Sequence, residues 1–313
     1  MITYLAKRIA SGLVLLAIVT TITFVMLFGA TENVAQNILG ENATSAQIVA
    51  LEQRLGLDQP LHVQYGKWLS GAVRGDLGTS WLQSERVSTI LLHRLPVTLS
   101  MVSLAILVIG IVSAVLGVIA AVRGGWADKV IQVISVVGFS MPNFWLGLIL
   151  VVIFALTLRW LPATGYVPFS SSPGGWLASL ALPVTAIVLS GIASASQQIR
   201  GAVMDALRQD YIRTLRARGV GPGSVVIRHA LRNALPAALT VLSVQFIALL
   251  GGAAIIERVF AIPGLGSLTV QASLSGDIPV LMGVVVAAII IVLIVNVTID
   301  IIHAWVNPKV RLQ

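Results

Sequence analysis

Long stretches with almost no charge decide what this chain can become. Six segments, about residues 9–30, 98–122, 131–157, 177–199, 235–256 and 280–306, are apolar for the length of a membrane crossing. A helix needs roughly 20 such residues to span a bilayer. In hydrocarbon, every backbone N–H and C=O must be satisfied within the segment, so each run is expected to fold as a helix. The expected fold class is therefore all-α and polytopic, with six transmembrane helices. Charge agrees: 10% of the 313 residues are charged and 57% are apolar, whereas soluble domains carry about 25% charged residues. The third run contains Met141-Pro142-Asn143, which predicts a kink. The fourth is the weakest, because Pro183 and the polar run Ser194-Ala195-Ser196-Gln197-Gln198 lower its apolar character. The first run follows Lys7-Arg8 as a signal peptide would. It reaches Ala30 without a convincing small-residue cleavage site, so it reads as a retained anchor.

Orientation depends on where the positive charge lies. With both termini inside, segments 1–8, 123–130, 200–234 and 307–313 hold 13 of the 20 basic residues. The outside segments hold 7, and the acids run the other way, with three inside and eight outside. A net charge of +8 often marks a nucleic-acid binder; here it is explained by cytoplasmic loops, and no nucleic-acid partner is expected. There is no cysteine, which excludes disulfides and cysteine metal sites.

The densest basic segment is 200–234. Val203, Leu207, Tyr211 and Leu215 recur at spacing four, while Arg208, Arg213, Arg216 and Arg218 fall elsewhere. That pattern predicts a short amphipathic helix with one apolar stripe and a basic remainder. Gly219 suits the left-handed conformation that ends a helix. Gly221-Pro222-Gly223 cannot continue one, and Ser224 is the expected cap of a second short helix running to about Asn233. By chemistry alone such a basic helix also suits the surface of anionic lipid.

The segment between the first two runs, about 31–97, is too long for a connector. Ser45 to Leu57 reads as a helix capped by Ser45, with Ile48, Leu51 and Leu55 as its stripe. Val63 to Leu69 is a second short segment, and Gly75 to Ser80 is rich in turn formers. Tyr65, Trp68 and Trp81 would hold this small extracytoplasmic subdomain to the membrane surface.

These motifs resemble a known family. Tyr211, Arg213, Thr214, Arg216, Ala217 and Gly219, followed by Arg228-His229-Ala230-Leu231-Arg232-Asn233-Ala234, look like the EAA loop of binding-protein-dependent ABC importer permeases. The Glu-Ala-Ala positions themselves hold Arg213, Thr214 and Leu215, as in the peptide/nickel branch. Leu55-Gly56-Leu57-Asp58-Gln59-Pro60-Leu61, Gln64-Tyr65 with Trp68-Leu69, and Gly75-Asp76-Leu77-Gly78 with Ser80 resemble the outer loop of the B-type subunit of dipeptide and oligopeptide permeases. Ser140 to Trp145, Leu161 to Tyr166, Glu257 to Gly266 and Asn307 to Arg311 extend the likeness over essentially the whole chain.

The resemblance implies half of a translocation pathway in the bacterial inner membrane, with both termini cytoplasmic. The implied partners are a second homologous permease subunit, two ABC ATPase subunits and an extracytoplasmic substrate-binding protein. It also implies that Asp210, Tyr211, Arg213, Thr214, Leu215, Arg216, Ala217, Arg218 and Gly219 form the coupling helix that docks on an ATPase. The implied organisation is 1–30 as N-terminal segment and first span, and 31–97 as outer subdomain. The core would be 98–306, containing the 200–234 loop, with 307–313 as tail. The implied cargo is a di- or oligopeptide, with nickel, glutathione and opines as alternatives.

The residues themselves carry no sign of covalent chemistry. There is no Gly-x-x-x-x-Gly-Lys-Ser/Thr, so ATP and Mg²⁺ are expected on partner subunits and no cofactor on this chain. His62, His93, His229 and His303 show no metal-ligand spacing, and no catalytic or metal residue is assigned. Polar residues at membrane depth, including Asn143, Gln197 and Gln245, are costly in lipid and should face the bundle interior or a cavity. They read either as helix–helix hydrogen bonds or as a wet passage. Glu257, Phe260 and Pro263 sit at an expected outer mouth and read as a gate or as a plain turn. A secondary transporter driven by an ion gradient would need midplane acids or histidines, which are scarce; Asp300, near the end of the last run, is weak evidence for a proton relay.

Overall fold

The computed structural model describes residues 2–29, 34–40 and 42–306. The tail at 307–313, with the Asn307 to Arg311 motif, lies outside the described residues. Among the described residues the regular elements are helices: α1 (Ile2–Gly29), α2 (Val34–Leu39), α3 (Ser45–Leu55), α4 (Leu61–Val73), α5 (Val87–Arg123), α6 (Gly125–Ser140), α7 (Asn143–Leu150), α8 (Pro173–Leu207), α9 (Asp210–Ala217), α10 (Pro222–Ser224), α11 (Leu231–Val259), α12 (Leu265–Ser275) and α13 (Ile278–Val306). Wider π-helical turns continue α7 over Val151–Thr157 and join α10 to α11 over Val225–Ala230. Among the described residues the extended pairing is a single bridge between Thr79 and Arg86.

Five helical stretches are long and apolar enough to cross a membrane: Ala6–Gly29, α5, α8, the continuous rod Pro222–Val259 and Ile278–His303. The third expected span differs. It is interrupted at Met141-Pro142, leaving α6 and the shorter apolar helix Asn143–Thr157. Met141 (φ −92°, ψ 126°) and Pro142 (φ −61°, ψ 131°) are both extended. Proline disfavours a helical residue before it and offers no N–H to the turn, so the expected kink is a full break.

The fourth span is present as expected and is longer than its hydropathy suggested. Pro183 and the Ser194–Gln198 run do not end it; α8 runs 35 residues. Ser172 caps it, accepting a hydrogen bond from the Gly175 N–H at 3.1 Å, and Pro173 fills the first turn, where its missing N–H costs nothing. More than half of its apolar window (56%) is buried, against 17–44% for the other four spans. Its low hydropathy marks a helix that faces protein.

The chain divides into two compact units. The first comprises residues up to Thr98 with Pro263–Ile294; the second comprises Leu99–Ile262 with the chain from Val295. In the first unit, Phe24, Val34, Ile278 and Met282 form a buried cluster. Phe28, Tyr65, Trp68 and Trp81 pack on it, so these aromatics cover the end of α1 rather than a membrane surface. Tyr65 and Thr21 share a hydroxyl hydrogen bond of 2.6 Å. Helix α3 is capped by Thr44, not Ser45. The Thr44 hydroxyl accepts from the Gln47 N–H, and the Gln47 side chain accepts from the Thr44 N–H at 2.9 Å, a reciprocal capping box. Asp277, 3% exposed, accepts from the Ser80 hydroxyl at 2.5 Å and the Trp81 N–H at 3.2 Å.

In the second unit α8 lies against α6, α7 and α11. Gly117 of α5 makes one close approach possible: a Cβ there would stand 2.9 Å from the Ser196 carbonyl oxygen and 3.1 Å from the Arg200 nitrogen.

Candidate functional site

The 200–234 segment folds differently from a pair of isolated short helices. Helix α8 stops at Leu207, Gln209 is extended (φ −66°, ψ 147°), and α9 restarts at Asp210. The expected stripe is therefore cut and its register reset. Val203 stays buried in α8, Tyr211 is 37% exposed, and the fully buried side chain of α9 is Ile212 (0%), which sequence reasoning missed. The signal that could have found it is Asp210, an acid suited to the first turn of a new helix. Ile212 and Leu215 then share one face at i, i+3.

Gly219 closes α9 as expected. Its φ is +78°, its N–H reaches the Arg216 carbonyl at 3.0 Å, and the Val220 N–H reaches the Leu215 carbonyl at 3.1 Å. This is the glycine-ended stop that satisfies the last carbonyls of a helix. The expected second short helix is longer. Ser224 lies inside helical backbone (φ −67°, ψ −38°), and the turn starting at Pro222 runs without interruption to Val259. Asn233 sits near its start. Its side-chain amide donates to the Tyr211 hydroxyl at 2.8 Å and to the His229 carbonyl at 3.0 Å. The two halves of the basic motif are thus joined by Tyr211 and Asn233.

The expected docking residues part into two sets. Asp210, Arg213, Thr214, Ala217 and Arg218 are exposed. Leu215 is half-buried, while Tyr211 and Arg216, though also exposed, engage their own chain, Tyr211 through Asn233 and Arg216 as part of a cavity lining of the same unit. Above this segment Asp128 of α6 binds Arg200 of α8 at 2.5 Å. That hydrogen bond, helped by one from Gln132, holds the Asp128 carboxyl below its usual range against the opposing effect of burial.

Four of the polar residues at membrane depth form two pairs. Asn143, the first residue of α7, accepts from the Ser190 hydroxyl at 3.0 Å, and Ser243 donates to Asn296 at 3.0 Å. Both are helix–helix bonds. Gln245 is half-buried opposite Gly191 of α8, its side-chain oxygen 3.9 Å from where a Cβ of Gly191 would lie. Gln197 is exposed. Glu257 is fully buried at the end of α11, and its carbonyl accepts from the Ile262 N–H at 2.7 Å. Phe260 is buried and lies over Gly147, where a Cβ would come within 3.1 Å of the ring; its carbonyl accepts from the Gly165 N–H at 2.8 Å. Ala261 turns through the left-handed region (φ 50°). Pro263 is exposed. Gly264 then leads into the 11-residue helix α12, which had no counterpart among the expected helices.

The binding-protein-dependent transport system inner membrane component family matches residues 113–312, and the N-terminal model of these membrane components matches residues 1–102. The chain belongs to this family. Relatives are similar along their full length. A putative peptide transport system permease protein of Brucella abortus (strain 2308) is 40% identical over 308 residues, covering 97% of this chain and 98% of that protein. The dipeptide transport system permease protein DppB of Alkalihalophilus pseudofirmus is 35% identical over 335 residues, covering 99% and 100%. The glutathione transport system permease protein GsiC of Salmonella choleraesuis is 34% identical over 324 residues, covering 99% of each. Among solved structures, an inward-facing form of the MetNI methionine ABC transporter matches 70% of this chain and 97% of the compared chain, with a TM-score of 0.56 at 20% identity. At that identity the likeness shows the fold. This binding-protein-dependent transport component is thus an integral membrane protein with an importer-type helical fold.

Proposed function

We propose that the chain is one permease half of an ATP-driven importer of di- or oligopeptides. The names of the similar Brucella and Alkalihalophilus proteins support peptide cargo; the similar GsiC makes glutathione the second reading. A homologous permease supplies the other half of the passage, a binding protein delivers cargo at the outer face, and two ATPases act from the cytosol. The basic 200–234 segment lies on the cytosolic side with both termini, and α6 with α7 makes the sixth crossing.

The observation that carries this reading is the build of α9. It is a short helix closed by Gly219, seated by Ile212 and tied by Tyr211 to Asn233. Beyond Asn233 one helix runs to Val259, carrying the buried Glu257 in its last turn and leading into the buried Phe260. An ATPase that grips the exposed face of α9 moves Asn233, and with it the rod that ends at the outer gate. Arg213 and Arg218 supply the outward charge.

The test makes Gly219→Pro and Arg213→Glu separately in the assembled transporter. Proline cannot adopt φ +78° and is fixed near −65°. Peptide uptake should fall by at least about tenfold, a loss of about 1.4 kcal/mol of coupling, while membrane insertion is unchanged. Wild-type uptake in both variants would remove α9 from the coupling path.

A further inference from the structure

A cavity of about 410 Å³ opens in the second unit beside α9. Its walls are the last turn of α5 (Ala121, Val122), the last turn of α8 (Met204, Leu207) and the start of the rod (Pro222, Val225, Val226). Its two charged residues are Arg208 and Arg216. Neither forms an ion pair among the described residues, and the acids nearest in sequence, Asp205 and Asp210, are exposed. Among its apolar lining residues Val122 is 50% exposed.

Two exposed arginines lining an otherwise apolar cavity, with the exposed Val122 beside them, ask for an amphiphile with an anionic head. Guanidinium groups bind phosphate oxygens in paired hydrogen bonds, and basic pockets between membrane helices suit acidic lipid headgroups. We propose that this cavity holds the phosphate of an anionic phospholipid, with an acyl chain laid along the exposed Val122. Because Arg216 belongs to α9 and Arg208 to the end of α8, the lipid bridges the break at Gln209 and sets the angle at which α9 leaves α8. The proposal rests on the family's place in the membrane, not on ATPase docking at α9, so the two readings fail separately.

The full-length chain in its purified complex is titrated with phosphatidylglycerol and with phosphatidylcholine, and bound lipid is read by native mass spectrometry. Phosphatidylglycerol should bind about tenfold more tightly. Arg208→Gln and Arg216→Gln should each weaken it about fivefold and together about 25-fold, from the worth of one cation near an anionic headgroup. Arg208→Lys with Arg216→Lys should retain most of the preference and shows that the cavity is still folded. Equal binding of the two lipids, or unchanged binding by the double glutamine variant, overturns the proposal. So does displacement of the lipid by inorganic phosphate alone, which would assign the site to a free anion. Loss of a copurifying ATPase with lipid preference intact overturns it too, since the arginines would then serve a partner's carboxylate.

Discussion

The region around Asp277 and the region around α9 are held by opposite means. The first is fixed by many buried contacts that depend on one another. Phe24 stacks on Phe28 at 4.0 Å and meets Tyr65 edge-on at 5.1 Å, Trp81 closes over Phe28, and Asp277 binds Ser80 and Trp81 from below the same cluster. Helix α9 has one fully buried side chain, one hydrogen bond to Asn233 and a glycine stop. A segment with few buried contacts opens at little cost. The difference lies in what is left uncovered: the outer motif residues complete their own packing, whereas α9 leaves Asp210, Arg213, Thr214, Arg216 and Arg218 exposed.

The sharpest way to break this comparison is in the aromatic cluster. Phe24→Ala should cost about 3–5 kcal/mol, as large-to-small changes at filled sites do, seen as loss of folded chain in thermal unfolding. A loss under about 1 kcal/mol would mean that the cluster collapses around the gap and is no better fixed than α9. Asp277→Ala comes next. It strands the buried Ser80 hydroxyl proton, 2% exposed, at about 1–3 kcal/mol, and leaves the part-buried Trp81 N–H to water. Tyr211→Phe should cost less, about 1 kcal/mol, because that bond lies in the open. Its mark is local: amide exchange in Asp210–Ala217 should speed up while exchange around Phe24 does not change. Equal slowing or quickening in both regions would erase the contrast.

Legibility in the sequence divides along the same line. The helical class and five spans came from hydropathy, since length without charge leaves few alternatives. The break at Met141-Pro142 was visible as a proline, but its depth depends on whether α6 and α7 can each be held by α8. The burial of α8 was hidden because hydropathy measures preference for lipid, and a helix that faces protein needs less of it. Ser80 and Asp277 are 197 positions apart, and neither is informative alone. Gly219 was readable because one backbone conformation favours glycine. Ile212 was not, because a single extended residue, Gln209, shifts the register of everything after it.

The smallest expected effect sharpens the comparison by charge. Asp128 and Arg200 pair with side chains 14% and 25% exposed, so this bond is partly open to water, as the α9 contacts are. The arginine hydrogen bond, and after it that of Gln132, lowers the Asp128 carboxyl in the folded chain. A group whose folded value lies below its unfolded value stabilises above the unfolded value, about 3.9 for aspartate, and that contribution fades as pH falls through the folded one. Wild type should therefore exceed Asp128→Asn in stability at neutral pH by a constant margin. The margin should shrink only when the pH drops below about 4. Unfolding midpoints of the two proteins, followed from neutral to acid, give the margin directly. A margin that vanishes well above that range would mean that Arg200 is held by something other than the Asp128 carboxylate. A margin that never narrows would mean that the asparagine changes packing between α6 and α8 rather than charge.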